Sequence, residues 1–266
     1  MIRCVIFDID NTLYDYTKAN KAAMEAVHGY AEKELGLIPD EFDRLAAEAS
    51  RKITGRLSKD NPGGSAVTHN RLIRFQNLLE TCNLPPYPHA LNLYNCYWNT
   101  LLDNMECAPY CREVLQELQN RKIRTGIGTD MTAYMQYRKL ERLDLLPLIQ
   151  FIVTSEEAGV EKPDSKFFKL CIQKAQCAPE ECLFIGDNPK KDIEGAQKAG
   201  MKTLRYCPGE TSDREGFYRN LMENIHVMGN KANYDWLMQS KEQLEKGKLS
   251  LNALSEEACR HHYNDK

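Results

Sequence analysis

Short apolar runs that stop abruptly at polar residues recur along this chain of 266 residues, and they constrain its fold more than any other feature. The run at 4–7 ends at Asp8, and 124–128 leads into Thr129 and Asp130. The run at 151–153 leads into Thr154 and Ser155, 182–185 into Gly186 and Asp187, and 202–206 ends before Cys207 and Pro208. Apolar runs of this length, bounded by turn residues, read as strands buried on both faces. Helical spacing fills the gaps. Val114, Leu115 and Leu118 follow Pro109, Tyr137, Leu140 and Leu143 make a second stripe, and Phe167, Phe168, Leu170, Cys171 and Ala175 a third. Ile193, Ala196 and Ala199 make a fourth that stops at Gly200. Strands alternating with helices at this spacing predict an α/β fold, a parallel sheet covered on both faces.

One stretch breaks the alternation. Residues 16–105 contain no convincing strand, and four apolar stripes run through them: Met24, Val27 and Ala31; Phe42, Leu45, Ala49 and Ile53; Leu72, Phe75 and Leu79; and Leu91, Tyr94, Trp98 and Leu101. An all-helical insertion of about ninety residues after the first strand is the expectation, able to form its own small bundle. Residues 58–65 (SKDNPGGS) read as a loop. The predicted organisation is a core of residues 1–15 and 106–208, the insertion at 16–105, and a largely helical extension at 209–266. Tyr97 and Trp98 read as core residues of the insertion, and the Lys190–Lys191 pair as exposed.

Composition excludes several function classes. The formal net charge is -3 and no basic run stands out, so a nucleic-acid polymer is not the expected partner. No apolar stretch approaches the ~20 residues that span a bilayer, and MIRCVIFDID lacks the apolar region and cleavage site of a signal peptide. A cytoplasmic location is the expectation. The ten cysteines are scattered without a CxxC pair and read as free thiols, and Cys259, His261 and His262 as a tail feature.

The chemistry gathers where strands end. Open parallel sheets bind ligands at the carboxyl ends of their strands, so Asp8-Ile9-Asp10-Asn11-Thr12, Thr129-Asp130, the run Glu161-Lys162-Pro163-Asp164 and Gly186-Asp187-Asn188-Pro189-Lys190-Lys191-Asp192 should converge. Two carboxylates one residue apart at a buried strand end repel each other, and burial raises at least one pKa unless a cation is present. Hard oxygen ligands from separate segments suit Mg²⁺. A nearby lysine would balance charge and bind a phosphoryl oxygen.

These segments, FDIDNTLYD, GTDMT, VEKPD and GDNPKKD, resemble the four motifs of the haloacid dehalogenase superfamily, in the same order and each near a predicted strand end. The resemblance covers about residues 1–208 and implies a Rossmann-like three-layer core with a helical cap after the first strand. It implies that Asp8 is a nucleophile forming an aspartyl-phosphate and that Asp10 is the general acid and base. It makes Thr129 and Lys162 phosphoryl-binding groups. Asp8, the main-chain carbonyl of Asp10, and Asp187 become Mg²⁺ ligands. Thr12 would hold the turn, with Asp192 and Asn188 supporting the metal site from behind. The second motif departs from the usual Ser/Thr-Asn: Asp130 follows Thr129, and its side chain is expected to point away or to accept hydrogen bonds.

The implied activity is Mg²⁺-dependent hydrolysis of a small phosphomonoester. The stretch Thr68-His69-Asn70-Arg71-Leu72-Ile73-Arg74-Phe75-Gln76 also resembles the pyrimidine 5'-nucleotidase-like branch. That makes a nucleoside 5'-monophosphate the first substrate guess, with His69, Arg71 and Arg74 as specificity residues. Sugar-phosphate or phosphoglycolate-type hydrolysis and a phosphomutase are the alternatives. Dehalogenation is disfavoured, because that branch keeps no acid at the position of Asp10 and needs no metal.

Overall fold

The computed structural model describes residues 1–55 and 69–206, together with Tyr218 and Leu221. The loop expected at 58–65, Thr68, the cysteine and histidines near the C-terminus and most of the extension lie outside these residues. Five strands form one sheet: β1 (Cys4–Phe7), β2 (Arg124–Thr129), β3 (Phe151–Thr154), β4 (Cys182–Gly186) and β5 (Lys202–Arg205). Every pairing is parallel and the order is β3-β2-β1-β4-β5, so β1 is central and fully buried. Side chains alternate across the pleat. Val5, Phe7, Leu183 and Ile185 face one apolar core, whereas Cys4, Ile6, Cys182 and Phe184 face the other.

Helices α1 (Tyr16–Leu35), α2 (Pro39–Gly55), α3 (Arg71–Thr81) and α4 (His89–Asp103) all fall between β1 and β2. They pack on one another, α1 against α4, α2 against α3, and α3 against α4. The other α-helices among the described residues are α5 (Cys111–Asn120), α6 (Ala133–Arg142), α7 (Ser155–Ala158), α8 (Ser165–Ala175) and α9 (Gly195–Lys198), with a π-helical turn at Pro189–Glu194. The apolar faces of α5 and α6 belong to the first core, and that of α8 to the second. Among the described residues no helix is long and apolar enough to cross a membrane, and the described cysteines are free thiols.

Two stripes differ from their apolar spacing. Leu91 is 46% exposed and Tyr137 50% exposed. Helix α4 instead buries Ala90, Leu93, Tyr97, Trp98, Leu101 and Leu102. Helix α6 buries Met135, Gln136, Lys139 and Leu140. In α6 the inward face carries two polar residues, Gln136 and Lys139, beside Met135 and Leu140. Tyr218 and Leu221 are also buried in the first core; Tyr218 packs on Tyr206 and donates its hydroxyl hydrogen to the Thr12 carbonyl at 3.0 Å.

Candidate active site

Parallel register brings the strand ends to one rim of the sheet. Phe7 pairs with both Ile127 and Ile185, and the Asp8 amide donates to the Ile185 carbonyl at 2.8 Å. Asp8 therefore leaves β1 beside Asp187, which follows β4. Asp192 joins them by a different route. Asn188 accepts hydrogen bonds from the amides of Lys190 and Lys191, starting the π-helical turn that carries Asp192 back to the rim. Glycine is required at 186, since a Cβ there would lie 2.4 Å from Asp192 Oδ2. Carboxylate oxygens of Asp8, Asp187 and Asp192 lie within 4.8 Å of one another.

Lys162 is the cation of this cluster. Its Nζ donates to Asp8 Oδ1 at 2.8 Å, to Asp192 Oδ1 at 2.7 Å and to the Gly128 carbonyl at 3.2 Å, with only 4% of the residue exposed. Asp192 Oδ2 accepts from the Asn188 amide at 2.9 Å, so both of its oxygens are engaged. Burying charges this deeply costs several kcal/mol per ion unless partners compensate. Lys162 holds its proton well above the usual lysine range: burial opposes the charge, but Asp8, Asp192 and Asp130 outweigh it. Asp8 is pushed up to about 7, first by burial and then by the charges of Asp192 and Asp10, against the pull of Lys162. Asp187 is raised too, by burial and by Asp192. Three carboxyl groups crowd one ammonium in this pocket, and hard oxygens converging in this way could hold a divalent cation.

Asp10 sits apart in a seat of its own. Lys139 Nζ reaches both carboxylate oxygens, at 2.7 and 2.8 Å, and the Tyr14 hydroxyl donates to Oδ1. Lys139 has 0% exposure and lies within 6.0 Å of the ring centroids of Tyr14, Tyr16 and Trp98. Burial alone would raise the Asp10 pKa; the Lys139 charge and the two hydrogen-bond donors reverse that and lower it. Thr129, at the end of β2, accepts a hydrogen bond from Gln136 Nε2 at 2.7 Å. Asp130 accepts hydrogen bonds, from the Lys162 amide at 3.0 Å and from Lys191 Nζ at 2.8 Å. Lys191 is thus half-buried and paired, also with Glu161 at 3.4 Å, while Lys190 is exposed. The expectation of an exposed lysine pair is corrected at Lys191, because Asp130 and Glu161 draw its ammonium inward.

A cavity of about 200 Å³ opens between this rim and the inserted helices. Asp10, Asp130 and Met131 line one side, and Tyr16, His69, Arg71, Arg74 and Trp98 the other. His69 Nε2 lies 3.0 Å from Glu161 Oε1, and this partner holds the Glu161 carboxyl down at about 2. The Arg71 guanidinium lies 3.7 Å above the Tyr97 ring and donates to the Tyr16 hydroxyl at 3.3 Å. Tyr97 is fully buried and Trp98 is 4% exposed, in keeping with their core reading, although Trp98 also reaches the cavity wall.

Asp8, Lys162, Asp187 and Asp192 therefore meet at one point, and Asp10, His69, Arg71 and Arg74 share one cavity. Thr12 is buried in the turn after β1, where its amide donates to the Ile9 carbonyl at 3.2 Å; its hydroxyl has no partner among the described residues. Sequence reasoning missed Lys139, Tyr14 and Gln136. A signal existed for Lys139: it stands four residues from both Met135 and Leu143, inside the apolar stripe of a helix, where an unpaired lysine would be costly.

The profile of haloacid dehalogenase-like hydrolases matches residues 2–200. The ribulose-1,5-bisphosphate 5-phosphatase of Halopiger xanaduensis is 36% identical over 80% of this chain and 88% of its own length. The glyceraldehyde 3-phosphate phosphatase of Methanopyrus kandleri is 30% identical over 81% of this chain and 88% of its own. Among solved structures, a 2-haloacid dehalogenase from Pseudomonas syringae superposes with a TM-score of 0.62 at 24% identity, covering 80% of this chain and 90% of that one. The hydrolase YfnB of Bacillus subtilis gives 0.60 at 24% identity, covering 83% and 98%. With motifs, sheet order and sequence likeness in agreement over most of its length, the chain belongs to the haloacid dehalogenase-like hydrolase family.

Proposed function

We propose that the chain hydrolyses a small phosphorylated sugar, with Asp8 as nucleophile, Asp10 as general acid and base, and magnesium as the metal. The observation that carries this reading is the placement of two strand-end acids in opposite electrostatic settings. Asp8 lies among like charges and one shared lysine, whereas Asp10 has a private cation. These resting pKa shifts are the reverse of what the two roles need, so a bound cation, which would favour the Asp8 carboxylate, and the arriving phosphoryl dianion, which favours protonated Asp10, would set the working states.

Asp8, Asp187 and the main-chain carbonyl of Asp10 would hold the magnesium ion, with Asp192 beside them. When bound, the ion offsets the negative charge that otherwise keeps an anionic substrate away from Asp8. An Asp8 oxygen attacks phosphorus while the phosphorus–oxygen bond to the leaving alcohol breaks. Asp10 gives that alcohol oxygen its proton. An arriving phosphoryl dianion beside Asp10 favours the protonated carboxyl needed for this step. Water then attacks the aspartyl-phosphate, Asp10 takes its proton back, the bond to Asp8 breaks, and inorganic phosphate leaves. Lys162 and Thr129 contact the transferred group. Lys139 and Tyr14 are positioning residues, holding the Asp10 carboxylate at the mouth of the cavity.

Helices α1–α4 form a cap over the rim, with residues 16–105 as that unit and 1–15 plus 106–208 as the core. The cap excludes water and reads the leaving group. The two relatives named above, which by name act on phosphosugars, favour a phosphosugar over a nucleoside monophosphate. The dehalogenase likeness is one of fold, and the carboxylate cluster with the seated Asp10 favours phosphoryl transfer. A cytoplasmic enzyme acting on a soluble metabolite fits this reading.

The test is hydrolysis of p-nitrophenyl phosphate. Turnover with Mg²⁺, its loss on chelation and its return on adding the metal back are expected. Absence of turnover at any Mg²⁺ concentration, with this ester and with small phosphosugars, would overturn the assignment.

A further inference from the structure

Lys162 is held by its backbone as well as by its side chain. Its ammonium is shared by Asp8, Asp192 and the Gly128 carbonyl, while its amide donates to Asp130 Oδ1 at 3.0 Å. Asp130 is fixed in turn at the end of β2, where Gln136 Nε2 donates to its main-chain carbonyl at 2.7 Å. The second carboxylate oxygen, Oδ2, accepts from Lys191 Nζ at 2.8 Å. Lys191 stands in the π-helical turn that also carries Asp192. Two links therefore tie this turn to Lys162. Asp192 takes the Lys162 ammonium, and Lys191 takes the acid that holds the Lys162 amide.

Asp130 also lines the cavity, where an uncompensated carboxylate would repel an incoming phosphoryl dianion. The Lys162 amide needs only an acceptor, and a neutral amide oxygen would serve; a carboxylate brings a charge that has to be cancelled. Lys191 is placed to cancel it, lying closer to Asp130 than to Glu161, at 2.8 against 3.4 Å. Burial opposes the Lys191 charge, but Asp130 and then Glu161 outweigh burial and hold its proton above the usual lysine range. Resting on the phosphatase reading above, we propose that Asp130 and Lys191 are positioning residues: Asp130 sets the backbone of Lys162 against the rim, and Lys191 cancels the charge that this placement brings to the cavity wall. The Lys191 side chain is 40% exposed and that of Asp130 15%, so the pair adds little to stability. Its effect falls on a bound anion and on the aim of Lys162.

The experiment measures kcat and KM for p-nitrophenyl phosphate with Mg²⁺, and the inhibition constant of inorganic phosphate. Lys191→Met leaves the Asp130 charge uncancelled, so KM and the inhibition constant should both rise about tenfold at low salt, and by less at ~0.5 M salt, where the repulsion is screened. Adding Asp130→Asn removes that charge and keeps the acceptor, so the double variant should return both constants to within about twofold of the parent. Asp130→Ala, which removes the acceptor, should have a kcat about tenfold below that of Asp130→Asn, because Lys162 then loses its main-chain anchor. Unchanged constants in Lys191→Met, or a double variant as impaired as Lys191→Met, would overturn the inference. So would equal kcat values for Asp130→Ala and Asp130→Asn. If Lys191→Met does not fold, the double variant and the two Asp130 variants decide by the same criteria. Any of these failures in an active parent removes the inference alone. A parent that hydrolyses neither this ester nor a small phosphosugar removes the phosphatase reading and the inference with it.

Discussion

The two sides of the cavity are built on different terms. On the sheet rim each charge is tied to backbone geometry. Asp8 is pinned by its amide to Ile185, Lys162 reaches the Gly128 carbonyl as well as two acids, and Asp192 is bonded through both oxygens. On the helical side Arg71 leans on Tyr97 and Tyr16, and His69 reaches across to Glu161. On the proposed reading, chemistry that is the same for every phosphomonoester sits where parallel strands fix it, and recognition of the leaving group falls to the helices. Asp10 is the link: it comes from the rim yet faces the cavity, and its partner Lys139 belongs to α6 of the core.

The comparison breaks if the rim proves dispensable. Asp8→Asn should lower kcat/KM for every phosphate ester by about 10⁴-fold or more, in a steady-state assay with Mg²⁺. Turnover within tenfold of the parent would remove Asp8 as the nucleophile. Next comes the link. Asp10→Asn should cost about 10² to 10⁴-fold, less with p-nitrophenyl phosphate than with a sugar phosphate, because nitrophenolate leaves without needing a proton. Equal losses for both esters would argue that Asp10 does not protonate the leaving group.

Lys139→Met should lower kcat about 10- to 100-fold with little change in KM, since a misplaced carboxylate slows the proton steps more than it weakens binding. Lys139→Arg should recover part of the rate. A loss confined to melting temperature would reduce Lys139 to a structural role. The smallest effect concerns stability of the metal-free protein. The folded Asp8 pKa, about 7, lies above its ordinary 3.8, so its contribution is fully present below about pH 4 and is lost as the pH rises toward 7. Differential scanning fluorimetry should therefore show Mg²⁺ raising the melting temperature by about 5 °C at pH 8 and by less at pH 5. The reverse order would contradict the charge crowding at Asp8.

Much of this architecture was legible in the residue order. The five apolar runs marked all five strands to within a residue or so, and the stripe of Phe42, Leu45, Ala49 and Ile53 marked the buried face of α2. The acids after those runs had to lie at one rim, because parallel strands in register end together. The helical stripes were less faithful. Leu91 and Tyr137 fit the spacing but face outward, because neighbouring turns offered other residues to the core. Around Asp130 the sequence raised a question that Lys191 answers, from 61 positions away.

By itself, then, the sequence determined the sheet, the helical insertion after the first strand, and the identity of Asp8, Asp10, Lys162 and Asp187 as rim residues, since these follow from local pattern and chain order. The seat of Asp10 and the stacking of Arg71 on Tyr97 were decided only by tertiary structure. Lys139 lies 129 positions from Asp10, and a lysine is read as a surface residue until the carboxylate that neutralises it is in place. Burial of a charge depends on its partner, and partners this far apart along the chain meet only when the whole chain has folded.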